Sequence, residues 1–285
     1  MIDGFIESWP LFQNTYLAAW MMCILLSIVG VVVVAREQIF IGAALSEASA
    51  LGIAVAFSLA SLEVFHHVHW MESEAFLGVM AAIFALASAA IIGKAGSWGR
   101  ESYEAATGWI FLLGGSVSII IVYHTPHGLE EVHRLLSTSI IGAARADVIL
   151  FSILATAAVL AVCSLRRPLL LVILDEEMAA AAGLRTRVWS AGITCAVALS
   201  VSLCLRASGL PYTFGCLVLP PLAARNLCRS PGPVFLVSPV IGFTTSAIAF
   251  ILADHYDEPP GQVTVALLCA AAAAAAGWRR VRRTG

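Results

Sequence analysis

The chain has 285 residues, of which 60 % are hydrophobic and only 12 % charged, with a formal net charge of −2. Soluble domains carry about 25 % charged residues, so this composition excludes an ordinary water-soluble globule. The net charge itself says nothing about partners, whereas the distribution of charge along the chain says a good deal.

Apolar runs about 20 residues long can each cross a ~30 Å hydrocarbon core. Nine are expected, near 15–35, 38–60, 75–93, 105–123, 147–165, 189–206, 210–226, 233–252 and 261–278. The expected fold class is therefore all-α: a polytopic integral membrane protein of eight or nine transmembrane helices, forming one permease domain over residues 1–285. The first run follows the acidic residues Asp3 and Glu7 without a basic n-region. It is also too long for a signal h-region, so it reads as a span.

The second run contains Glu47, the one carboxylate deep inside a span. At that depth a carboxylate costs a few kcal/mol on insertion scales (about 3), so it faces a cavity or a partner. Ser46 and Ser49 lie close by, and Ala43 sits one turn earlier on the same face. A protonated, structurally hydrogen-bonded Glu47 is the plain alternative to a pathway ligand with Ser46 as a second oxygen. The following loop carries His66, His67 and His69 with Glu63, Glu72 and Glu74. The loop after the fourth run carries His124, His127 and His133 with Glu130 and Glu131. Neither group has the HExxH spacing of a closed zinc site, so the readings are loose metal capture, contact with a delivering protein, or a solvated polar loop.

Between Arg166 and Trp189 lies the longest connection on the opposite side. Asp175, Glu176 and Glu177 precede Met178 and four alanines, a strong helix start, and Gly183 is placed to end that helix. A short helix of about 175–184 suits docking into a groove on a partner, or serves as a connector. If the tail Arg279-Arg280-Val281-Arg282-Arg283 is cytoplasmic, thirteen of the sixteen basic residues fall on the cytoplasmic side. That bias orients the N-terminus outside and the C-terminus inside. The seven cysteines all lie within or at the ends of apolar runs and form no CxxC pair, so they read as packing residues. The phosphate loop GxxxxGK[ST] is absent, so ATP hydrolysis would need a separate chain. A membrane-embedded hydrolase is disfavoured because only Glu47, and no histidine, lies within the spans.

Four segments carry a family likeness: Gly42–Ala48; Asp175, Glu177, Ala179 and Gly183; Phe214–Ala224 with Pro220 and Pro221; and Asp257-Glu258-Pro259-Pro260-Gly261. In this order they resemble the ABC-3 family, permease subunits of ATP-binding-cassette importers for zinc, manganese and iron. Gly42–Ala48 match that family's Gly-Asp-Ala-Leu-Ser-His-Ala in five of seven positions. The resemblance implies a transporter subunit, not an enzyme, in a bacterial cytoplasmic (inner) membrane. It implies a transported manganese, zinc or iron ion and no permanently bound cofactor. The implied partners are a cytoplasmic ABC ATPase coupled through Asp175, Glu176, Glu177 and Gly183, an extracytoplasmic metal-binding protein, and a second permease copy, identical or not. No nucleic acid is expected. In the family the Asp and His of the first motif line the pathway; here those positions are Ala43 and Glu47. Metal-chelate, siderophore or vitamin cargo, and an ion-coupled carrier, are the alternative readings.

Overall fold

The computed structural model of the chain describes residues 2–60, 74–96, 99–123 and 143–284. Among these residues there are ten α-helices and no strand. They are α1 (Ile2–Ala35), α2 (Ile39–Ala60), α3 (Glu74–Gly96), α4 (Arg100–Tyr123), α5 (Arg145–Ser164), α6 (Arg166–Leu174), α7 (Glu176–Ala181), α8 (Thr186–Leu227), α9 (Pro231–Tyr256) and α10 (Pro260–Thr284). Helices are what lipid demands, since each satisfies its own backbone within one segment. Eight of them are long and apolar enough to cross a membrane.

The helix bounds follow the predicted runs closely, with three differences. The first helix begins at Ile2, well before the predicted 15, and carries Pro10 within it. The predicted runs 189–206 and 210–226 are joined in α8, a helix of 42 residues. At 1.5 Å per residue that is about 63 Å, twice the ~30 Å core. It is broken at Gly209, with φ 76° and ψ 172°, backbone angles essentially confined to glycine. Each half is close to one membrane crossing. The third difference is α6, which starts with Pro168 in its first turn and buries Leu169, Val172 and Ile173.

The chain divides into two compact units, Met1–Glu37, Thr138–Thr186 and Pro211–Gly285 in one, Gln38–Ser137 and Arg187–Leu210 in the other. The first unit centres on α1, whose most apolar window is 72 % buried, while that of α5 is only 11 % buried, as a lipid-facing helix would be. Between helices in lipid, association rests on close packing and buried hydrogen bonds, because apolar burial gains nothing there. Tyr212, fully buried on α8, donates to the Ala19 carbonyl at 2.9 Å. Ser238 on α9 donates to the Ser27 carbonyl at 3.0 Å. Gly30 packs on the Leu217 carbonyl, and Gly242 on the Ser27 hydroxyl, approaches that a Cβ would block. Near the other end, Tyr16 meets Phe250 edge-on at 5.4 Å and donates to an Asp254 carboxylate oxygen at 3.4 Å.

The second unit centres on α2, whose window is also 72 % buried. Gly52 lets α2 reach the α3 backbone, where an added Cβ would sit 2.6 Å from the Met80 carbonyl oxygen. Ile53, Ala56, Phe76, Leu77 and Ala81 fill the α2–α3 interface. A turn at Gly99, φ 125°, joins α3 to α4.

Candidate functional site

Glu47 lies near the middle of α2, on the central helix of its unit. Its neighbours in sequence are almost wholly buried: Ala44 and Ser46 at 0 %, Ala48 at 2 % and Ala43 at 8 % exposure. Glu47 itself is only half-buried, less enclosed than these neighbours. Among the described residues no hydrogen-bond donor or cation partners that carboxylate. The plain alternative, a glutamate kept for a structural hydrogen bond, therefore finds no bond there.

What holds Glu47 in place is a pair of glycines on α4. A Cβ at Gly114 would stand 2.9 Å from the Glu47 carbonyl carbon and 3.0 Å from its oxygen. A Cβ at Gly115 would stand 3.2 Å from Glu47 Oε2 and 3.4 Å from Cδ. The two missing side chains bring α4 against the α2 backbone and leave room for the carboxylate alongside. In the sequence only one sign marks this pair, two adjacent glycines in the middle of an apolar run.

The two serines direct their protons one turn back along α2. Ser46 donates to the Gly42 carbonyl at 2.9 Å and Ser49 to the Leu45 carbonyl at 2.8 Å. Both hydroxyls are thus bonded back to their own helix. No group of three or more His, Cys, Asp or Glu side chains among the described residues is placed to hold a metal ion. His66, His67, His69, His124, His127 and His133 lie outside the described residues. The remaining histidine, His255, is exposed at the end of α9 with its ring 4.9 Å from Tyr256.

The predicted short helix forms as α7. Asp175 is its N-cap, its carboxylate accepting from the Met178 N–H at 2.8 Å. Gly183 follows its C-terminus with φ 83°. Leu184 N–H donates to the Ala179 carbonyl at 3.1 Å and Gly183 N–H to Ala180 at 3.0 Å, a Schellman closure that needs the left-handed glycine. Glu177 and Met178 are exposed, whereas Ala179 is fully buried. The exposed face of α7 thus carries an acid and a methionine on a helix fixed at both ends.

Eight helices apolar enough to span a membrane, one of them with an acid near its middle, define a polytopic membrane protein. Residues 8–277 match the ABC 3 transport family. The chain belongs to that family. It is 22 % identical over 285 residues to a "Probable iron transport system membrane protein" of Haemophilus influenzae, covering 99 % of each. It is 24 % identical over 185 residues to the "Manganese transport system membrane protein MntB" of Synechocystis, covering 65 % of this chain and 60 % of that one. Its fold matches PsaBC from Streptococcus pneumoniae, solved in complex with Fab, with a TM-score of 0.80 at 19 % identity over 96 % of this chain and 95 % of that one.

Proposed function

We propose that this chain is the membrane-spanning permease of an ABC importer for a divalent transition-metal ion, and that Glu47 is its cation ligand at membrane depth. The observation that carries this reading is an unpartnered, half-buried carboxylate on the central helix of its unit, seated over Gly114 and Gly115. A carboxylate in low dielectric attracts a divalent ion strongly, and the ion in turn favours its ionised form. Oxygen donors suit Mn²⁺ better than imidazole does, whereas imidazole suits zinc. On this donor chemistry we place manganese ahead of iron and zinc as cargo; the relatives' descriptions name iron and manganese alike. Ser46, its proton held by Gly42, offers at most a lone pair.

In this reading a separate cytoplasmic ATPase docks on α7 and its closure drives the change of access, an extracytoplasmic metal-binding protein delivers the ion, and a second permease copy completes the pathway. The chain crosses a bacterial cytoplasmic membrane nine times, with α8 crossing twice, and its N-terminus lies outside. The His-rich segments around His66 and His127 serve capture at the entrance.

Metal uptake by cells expressing Glu47→Gln tests the ligand role. The variant keeps size and hydrogen bonding but loses the charge, so uptake falls at least about tenfold, a loss of ~1.4 kcal/mol or more, at unchanged membrane abundance. Wild-type uptake by this variant overturns the role. A companion variant, Ala43→Asp with Glu47→His, is expected to shift preference toward zinc in competition with manganese.

A further inference from the structure

The first unit contains a cavity of about 260 Å³ at the end where α1 and α8 finish and α9 begins. Its apolar wall is built from Val31, Val34, Ile173, Val234 and Phe235. Its polar lining includes three arginines, Arg225, Arg229 and Arg279, and among the described residues no acidic one. Arg279 donates to Asn226 Oδ1 at 3.1 Å; among the described residues Arg225 and Arg229 form no ion pair. A fourth guanidinium, that of Arg166, packs over Gly232 at the start of α9, where a Cβ would stand 2.7 Å from Nη2. Three helix ends and Trp278, with Arg282 stacked 5.2 Å over its ring, mark this as headgroup level.

We infer that this cavity holds an anionic phospholipid, its phosphate among Arg225, Arg229 and Arg279 and the start of an acyl chain along the apolar wall. Several like charges around one small cavity repel one another until an anion enters. Guanidinium forks match phosphate oxygens in pairs. The apolar wall is what separates a lipid from a free anion: inorganic phosphate would leave it uncovered, while a lipid tail fills it. Basic pockets between transmembrane helices are suited to anionic headgroups for this reason. The site also touches the transport machinery, since Ile173 and Leu174 line it and Asp175, the cap of α7, comes next in the chain. A bound lipid would brace α6 and so fix where α7 stands. This inference does not depend on which ion the chain transports.

The test is lipid retention by the full-length chain, measured by native mass spectrometry after purification from mixed phosphatidylglycerol and phosphatidylcholine. Wild-type protein is expected to retain phosphatidylglycerol selectively. Arg225→Gln with Arg229→Gln is expected to lower its apparent affinity about twenty-five-fold, at roughly fivefold per arginine. Lys94→Gln, on α3 of the second unit and not among the residues that line the cavity, serves as the control and should leave retention unchanged. Equal retention of the two lipids, unchanged retention in the double variant, or displacement of phosphatidylglycerol by millimolar inorganic phosphate would each overturn the site. Should the double variant fail to insert, wild-type protein decides alone: its melting temperature rises in phosphatidylglycerol over phosphatidylcholine, and no difference refutes the proposal.

Discussion

At the scale of single residues, Glu47 was legible because it is the one acid deep in an apolar run. What surrounds it was not. No pattern in the sequence says that Gly114 and Gly115 meet Glu47 rather than lipid, because that pairing is made by helix packing between distant segments. Nor does sequence say where a serine hydroxyl points: Ser46 sits beside Glu47 in the chain yet bonds back to Gly42. The glycine pair makes a pointed prediction. Gly114→Ala places a Cβ against the Glu47 backbone, which must move the helices apart, a cost of about 1–3 kcal/mol for an overpacked site. Its melting temperature in detergent is expected to fall by several degrees. Gly115→Ala instead presses on the carboxylate tip, a movable group. It should fold nearly as well as wild type and show a several-fold higher KM for metal uptake. Identical behaviour of the two variants would count against this division of labour.

At the scale of elements, the limits of α7 were readable because capping is local chemistry. Asp175 and Gly183 occupy the positions that a helix start and stop require, and both perform as expected. Neighbouring α6 was missed: its Leu-Leu-Leu-Val-Ile-Leu run is too short for a span and has no acidic first turn. The signal available was Pro168 just inside a short apolar run. The two halves of α8 were readable as the separate runs 189–206 and 210–226, and the break at Gly209 falls in the gap between them. If α7 is the ATPase contact, its caps should matter to coupling more than to folding. Asp175→Ala removes an N-cap worth about 1 kcal/mol, and Gly183→Ala forces a side chain into the left-handed region at a cost of ~1 kcal/mol. Both variants are expected to reach the membrane at wild-type levels and to stimulate the partner ATPase several-fold less. Undiminished stimulation by the double variant would remove α7 from the coupling route.

At the scale of the whole molecule, composition and the spacing of apolar runs carried the class and the helix bounds, because the bilayer sets both. The assignment of helices to two units was hidden, since the chain leaves and re-enters each unit and only tertiary packing records that. The basic-residue bias leads to a topology test. Cysteine replacing His67 is expected to react with an impermeant thiol reagent applied to intact cells, and cysteine replacing Arg282 to react only after permeabilisation. Labelling of the Arg282 site with protection of the His67 site would reverse the proposed orientation. The test reads α8 as well, because eight crossings would leave both chain ends on the same side.

The hydroxyl groups bonded back along their own helices bear on how the protein is made. Ser238 and the Ser27 carbonyl it bonds are 211 residues apart, and Tyr212 and Ala19 are 193 apart. At about 5–20 residues per second of synthesis, α1 waits roughly 10–40 s in the bilayer before its partners emerge. Ser27 donates to the Cys23 carbonyl within its own helix, as Ser46, Ser49 and Ser208 do in theirs, bonds that need no later element. A helix whose polar groups are satisfied from within can rest alone in lipid without seeking a wrong neighbour. The contacts from Tyr212 and Ser238 are thus additions to a helix, α1, whose Ser27 hydroxyl is bonded within it.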